Sequence, residues 1–265
     1  LVKDVSLKLI RNLLLTVLLV IAIFVGLIVY SFSRTLPLQD RQRLSGGAIQ
    51  VKDGIVSVAI IPSGDGQVIL VDCGNDPTGK ATIAALKQLG LGIDSVKTIL
   101  ITHAHPDHIG GCHNFPDAEI FAMTPEQPIL EGREANRSVI GRIMGRKNSG
   151  LHVSRYLKDG ETLQRGNVLV TAYLVPGHTD GSAAYLAAGT LYLGDSADSA
   201  KNGTLLPAKR FASNDTQQNQ ASLRKLAEEL KPHANEIEFL EFAHSGPLQG
   251  FTALQKFANS SGSSN

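Results

Sequence analysis

The chain has 265 residues, and its 25 lysines and arginines nearly balance 24 aspartates and glutamates, for a formal net charge of +1. That balance gives no overall pull towards nucleic acid, and no block of like charges resembles a basic arm, so no nucleic-acid partner is expected. No period of about 20–50 residues recurs, which excludes a solenoid.

The first element is apolar. Residues 13–32 contain no charge, long enough as a helix to cross a hydrocarbon core about 30 Å thick, and they predict a single-pass transmembrane anchor. Lys3, Lys8 and Arg11 in the flank 1–12 favour an amino terminus inside and the following domain outside the cytoplasm, although Arg34, Arg41 and Arg43 weaken the asymmetry. A cleaved secretory signal is the rival reading, since Ser31 and Ser33 are small residues at suitable spacing. The stretch exceeds the usual signal core of about 7–15 residues, so the anchor is preferred. Residues 33–50 read as a polar linker, 51–259 as one domain and 260–265 as a disordered tail.

Within the domain, 56–61 and 68–71 read as a hairpin across the turn residues 63–66. Helical spacing over 78–89, with Thr78 as cap and Gly90 as stop, is followed by an apolar strand at 96–101. Further strands are expected at 168–175, at 183–187 paired with 191–193, and at 237–242; helices are expected at 218–230 and 248–257. Two groups of strands flanked by helices place the chain in the α/β class. Cys73 and Cys112 could pair in an exported protein, but a pair of small buried thiols is the preferred reading.

The strand at 96–101 runs into Thr102-His103-Ala104-His105-Pro106-Asp107-His108-Ile109-Gly110-Gly111. Four side chains that bind metals fall within six positions, and imidazoles with a carboxylate suit zinc, or iron or manganese. Pro106 fixes the backbone, and the two glycines should let the chain turn tightly behind the cluster. His178, Asp195 and His244 each come just after a later apolar stretch, and Asp72 ends the strand at 68–71. His113, His152 and His233 are expected at the surface or in structural roles.

In order and context these positions resemble the five motifs of the metallo-β-lactamase-fold hydrolases, over roughly residues 51–258. The resemblance implies a four-layer αβ/βα sandwich. It also implies one metal held by His103, His105 and His178, and a second held by Asp107, His108 and His244, with Asp195 bridging the two zinc ions. The pair would share a hydroxide as nucleophile; Asp107 would orient it and pass a proton to the leaving group, while Asp72 would brace a ligand loop from behind.

Departures from the pattern narrow the choice. Asp195 stands where true β-lactamases carry cysteine or serine, and His105 where flavodiiron proteins carry glutamate. Glyoxalase II-like thioesterases share the ligand set but append a helical glutathione-binding region, for which the roughly twenty residues after His244 leave no room. Acyl-homoserine lactonases place a tyrosine three positions after the bridging aspartate, where this chain has Asp198, and nuclease members carry a large inserted domain. The expectation is a membrane-anchored dinuclear hydrolase of an ester, thioester, lactone or phosphoester. A mononuclear iron sulfur-dioxygenase and a non-catalytic metal-stabilised sensor are the alternatives. Arg133, Arg137, Arg142, Arg146, Lys147 and Arg155 could draw an anionic small-molecule substrate, face solvent, or lie against anionic lipid headgroups. Lys201, Lys209 and Arg210 should border the pocket. Oligomeric state is left open.

Overall fold

A computed structural model describes residues 2–260, in two compact units that divide between Thr35 and Leu36. The first is one helix, α1 (Val2–Ser33). Its stretch Lys8–Ser33 is long and apolar enough to cross a membrane, and large apolar side chains from Leu9 to Tyr30 are exposed along it, unlike those of a core helix.

The second unit is built on two sheets. Strands β1 (Gln42–Arg43), β2 (Ile49–Asp53), β3 (Val56–Gly64), β4 (Gln67–Val71), β5 (Val96–Leu100), β6 (Glu119–Met123) and β7 (Arg155–Leu157) form a seven-stranded sheet in that order, parallel from β4 to β7. Strands β8 (Glu161–Arg165), β9 (Val168–Leu174), β10 (Ala183–Ala187) and β11 (Thr190–Tyr192) begin the other. A separate ribbon of β12 (Ala197–Ser199) and β13 (Leu205–Pro207) intervenes before β14 (Phe239–Phe242) and β15 (Ser245–Gln249) complete it, in the order β15-β14-β11-β10-β9-β8. Between strands lie α2 (Lys80–Gln88), the short helices α3 (Pro106–Ile109), α4 (Gln127–Leu130) and α5 (Val139–Met144), and the longer α6 (Thr216–Leu230), and α7 (Thr252–Asn259) follows the last strand.

Alternation along the strands explains the layering. Ala59, Ile61, Ile69 and Val71 point to the inter-sheet core, where Val170, Ala172, Tyr185 and Tyr192 meet them, while Val58, Ile60, Val68 and Leu70 point outward to Ala85 and Leu86 of α2. On the far side Leu191 and Leu240 pack with Leu223, Leu226 and Leu230 of α6 and Leu254 of α7. Both faces of each sheet are therefore buried, which is why the strands read as continuous apolar runs. The result is the expected four-layer αβ/βα sandwich.

Several local expectations are corrected. The folded unit reaches back to Leu36: β1 pairs with β2, and Leu44 and Ala48 lie in the inter-sheet core, so most of the segment read as a linker belongs to the domain. Thr78 does not cap α2, because its hydroxyl is bonded to Asp76 and Gly79 takes the cap position. Residues 248–249 are strand, not helix: Leu248 pairs with Leu240, and α7 starts only at Thr252. Residues 261–265, the bulk of the expected tail, lie outside the described residues. Cys73 and Cys112 form a disulfide, with Cα atoms 5.1 Å apart, in place of two buried thiols. The end of β4 and the exit from α3 are pressed together there, and Cys73 N–H donates to His108 O at 2.7 Å. Linking residues 39 apart removes about 4 kcal/mol of entropy from the unfolded chain.

Candidate metal centre

The site sits where strands of both sheets end. Beyond β5, Thr102 to His105 form a short extended loop, and Pro106 at the first helical position starts the single turn α3 that presents Asp107 and His108. Asp72 follows neighbouring β4 in the left-handed region (φ 59°), a conformation aspartate tolerates, and this turns its carboxylate across to the loop. There it accepts from Thr102 N–H at 2.8 Å and Thr102 Oγ1 at 2.7 Å, and lies 2.7 Å from His108 Nδ1. Gly110 and Gly111 do not make the tight turn expected of them, since their φ angles are −55° and −86°. They are needed for space: a Cβ on Gly111 would fall 2.4 Å from Cys73 O, and one on Gly110 2.7 Å from Asn75 O.

The other three side chains arrive from the second sheet. His178 lies between β9 and β10, with Nδ1 3.1 Å from Ser213 Oγ. Asp195 follows Gly194, which takes φ 52° and passes so close to Thr102 that a Cβ would meet that side chain at 2.7 Å. His244 occupies the turn between β14 and β15, and its Nδ1 is 2.7 Å from Ile55 O.

All seven converge in two groups, each able to hold a metal ion: His103, His105, His178 and Asp195, and Asp107, His108 and His244. In the first, His178 Nε2 lies 3.1 Å from His103 Nε2 and 3.0 Å from His105 Nδ1. In the second, Asp107 Oδ2 is 3.3 Å from His244 Nε2 and 3.9 Å from His108 Nε2. Asp195 reaches both: Oδ1 is 3.2 Å from His108 Nε2, and Oδ2 is 3.2 Å from His244 Nε2 and 3.5 Å from His178 Nε2. His108 Nε2 and Asp195 Oδ1 are buried without a hydrogen-bond partner among the described residues. Crowded imidazole nitrogens and an unsatisfied buried carboxylate oxygen fit a bound cation, and the donor set suits zinc.

Electrostatics divides the groups in the same way. Burial, reinforced by neighbouring imidazoles, holds His103 well below the ordinary histidine range, and burial also lowers His178 well below it and His105 to about 4. Burial would depress His108 and His244 too, but Asp195 and the other carboxylates outweigh it, raising His108 well above its ordinary value and His244 to about 9. Asp107 and Asp195 resist the upward push of burial and stay anionic below the usual carboxylate range, because the imidazoles of His108 and His244 face them.

Sequence reasoning missed the braces behind this cluster. Glu126, fully buried just after β6, accepts from Ala104 N–H at 2.8 Å, Thr179 Oγ1 at 2.7 Å and Gly181 N–H at 3.0 Å, so one carboxylate ties the loop of His103 and His105 to that of His178. Burial pushes it up to about 7 against these three donors. The only sequence signal is a lone acid directly after an apolar strand. Asn136 Nδ2 lies 2.7 Å from His105 Nε2. Gln50 and Ser57 bond to buried Glu241 at 2.7 and 3.0 Å, steadying the strand that leads to His244. Around the cluster, Thr179 bonds to Glu126, Ser245 to Ser199, Asp180 to Arg137, and Asp198 to Lys209. A Glu126→Gln variant must turn its amide N–H towards the N–H of Ala104 or of Gly181, so one loop loses its acceptor whichever way the amide lies. Metal affinity should fall about 10–100-fold with the fold intact. Metal titration followed by circular dichroism checks this, and unchanged affinity would refute the bracing role.

Comparisons with known proteins bear on the chain and its fold. Residues 51–231 match the family model described as the metallo-beta-lactamase superfamily. A hydroxyacylglutathione hydrolase of Yersinia pestis is 30% identical over 187 residues, 67% of this chain and 61% of that protein, so the match spans less than two thirds of the relative's length. A protein of Bacillus subtilis described as a probable metallo-hydrolase is 32% identical over 160 residues, 57% of this chain and 66% of that one. Among solved structures, a B3 metallo-beta-lactamase with an active-site glutamic acid superposes with a TM-score of 0.63 at 22% identity, covering 87% of this chain and 90% of the other. At that identity the likeness speaks for the fold alone.

Proposed function

The chain belongs to the metallo-beta-lactamase superfamily, and from that footing we propose that it is a membrane-anchored dinuclear hydrolase cleaving an ester, thioester, lactone or phosphoester bond. The observation that carries two metals is the reach of Asp195, whose two carboxylate oxygens face one histidine of each group at 3.2–3.5 Å. His103, His105 and His178 would hold one ion, Asp107, His108 and His244 the other, and Asp195 would serve both. Zinc suits these donors best, with iron or manganese possible by the same chemistry. Bound there, the cations would supply Lewis acidity and lower the pKa of a water towards about 7.

The chain's own residues do the rest. His103 and His178 are buried and His105 half-buried, and this desolvation keeps all three neutral and strengthens the charge interactions at the site. Asp107 is the more open of the two carboxylates, with 24% side-chain exposure against 10% for Asp195. It is therefore the group placed to take a proton from the attacking water and deliver it to the leaving group. Asp72 and Glu126 hold the loops in register from behind. A cleft lined by Ala104, His105, Glu134, Asn136, Met144 and Lys147 opens beside His105 and would receive a small-molecule substrate. The Lys3, Lys8 and Arg11 flank and the Cys73–Cys112 disulfide both support a domain outside the cytoplasm.

Metal analysis of the purified full chain should find two zinc ions per chain. A panel of thioesters, lactones, carboxylic esters and phosphodiesters should yield at least one that is hydrolysed. Thioesters lead the panel because the Yersinia relative is a hydroxyacylglutathione hydrolase. His108→Ala should lose one ion and at least about a hundredfold in rate. One iron per chain, with oxygen uptake in place of hydrolysis, would overturn the proposal in favour of the sulfur-dioxygenase.

A further inference from the structure

The segment between β6 and β7 carries a surface that the proposed chemistry does not use. Of the six cations from Arg133 to Arg155 at the start of β7, Arg133 pairs with Glu131, Arg137 with Asp180 and Arg155 with Glu161. Arg142, Arg146 and Lys147 have no ion pair among the described residues, and the two arginines touch only the backbone carbonyls of Arg137 and Arg133. They interleave in sequence with Val139, Ile143 and Met144, which are 53%, 77% and 54% exposed. Val139 and Ile143 stand four apart on α5, hence on one helix face. Unpaired cations around exposed aliphatic side chains are the composition of a surface made to sit at lipid headgroups.

Placement points the same way. Leu36 opens the domain with its N–H on Ser199 O at 2.8 Å and its carbonyl accepting from Gly246 N–H at 2.9 Å. The chain therefore enters the domain between the strand after Asp195 and the residues after His244. That is the end of the fold that also carries α5, since Asn136 contacts His105 and Arg137 N–H donates to Asn214 Oδ1 at 2.7 Å. Only Arg34 and Thr35 stand in sequence between Ser33 at the end of α1 and Leu36 at the start of the domain. So short a tether gives even a weak lipid contact a high effective concentration.

We propose that α5 and the residues following it dock on an anionic phospholipid surface, through Val139, Ile143 and Met144 with Arg142, Arg146 and Lys147, and so hold the mouth of the cleft at headgroup level. Met144 and Lys147 line that cleft beside His105, so an amphiphilic ester could pass from the bilayer to the metals without crossing open water. This rests on the reading of α1 as a membrane anchor. Each basic side chain near such a surface favours the docked state about fivefold.

Cys73 and Cys112 are bonded and no free cysteine is present among the described residues, so Ile143→Cys offers a single thiol for an environment-sensitive fluorophore. The full chain is reconstituted in phosphatidylcholine vesicles with or without phosphatidylglycerol. An Ile93→Cys label serves as control, at an exposed position ahead of β5, the opposite end of that strand from His103. Docking predicts a blue-shifted label at 143, quenched by nitroxide lipids at least threefold more than the label at 93, and dependent on phosphatidylglycerol. The triple change Arg142→Glu, Arg146→Glu and Lys147→Glu should abolish the difference while metal content is retained. Equal emission and quenching at both positions, or indifference to lipid charge or to charge reversal, overturns docking even if the chain stays with the vesicles through a carbonate wash. A chain that washes off removes the anchor, and the proposal with it.

Discussion

Replacing Asp195 with alanine should lower kcat/KM by at least about a thousandfold on whichever panel substrate the native chain hydrolyses fastest, and should remove at least one of the two metal ions. Its carboxylate is the one that faces proposed metal-binding nitrogens of both groups among the described residues. Its Oδ1 faces His108, its Oδ2 faces His244 and His178, and Oδ1 has no hydrogen-bond partner among the described residues. With Asp107 it provides the negative charge that two divalent cations need close by. Alanine therefore removes half of that charge together with the link between the groups. A second variant, Asp195→Asn, keeps the shape and one oxygen but neither the charge nor the second donor oxygen, so metal loss in both variants assigns the role to the complete carboxylate. Loss in the alanine variant alone shows that a single oxygen at this position suffices. Two metals and native turnover in Asp195→Ala would refute a shared centre.

The layering and the seven-residue cluster were legible for a common reason. Strands buried on both faces leave unbroken apolar runs, and His103, His178, Asp195 and His244 each stand just past such a run, so one pattern marked both the scaffold and its functional ends. What could not be read depends on contacts distant in sequence. Glu126 looks like an ordinary turn acid until the loops of Ala104 and Gly181 close on it from 22 and 55 positions away. The Cys73–Cys112 bond needs β4 and α3 to be adjacent before it has any meaning. Leu248 illustrates another limit, because a short apolar run does not distinguish a strand from a helix, and pairing with Leu240 decided it. Gly110 and Gly111 show a third: a glycine pair signals freedom, whereas the fold uses these two for the room they leave.

Stripping the metals should abolish hydrolysis and, at pH 7.5, lower the melting temperature by about 10 °C, an effect that should grow towards pH 9 and disappear near pH 5. The pH window follows from the titration of the cluster. His105 is depressed to about 4 from an ordinary 6.5, so the metal-free fold, which keeps it neutral, loses about 3 kcal/mol as pH falls from 6.5 to 4. His103 and His178 shift in the same direction and add to that acid loss. His244 is raised to about 9 by Asp195 and Asp107, so its contribution, also about 3 kcal/mol, is full below pH 6.5 and is lost as pH rises through 9. His108 moves the same way. The metal-free chain should therefore be most stable between about pH 6 and 7. Metals need neutral imidazoles, so they compete with protons in acid, while in alkali they replace protons that His108 and His244 would otherwise lose. Melting curves with and without chelator across pH 5–9 make the comparison, with proton release on metal addition at pH 7.5 as a second reading. Melting that ignores the chelator at pH 8–9, or turnover that survives it, would be incompatible with cations seated among these histidines.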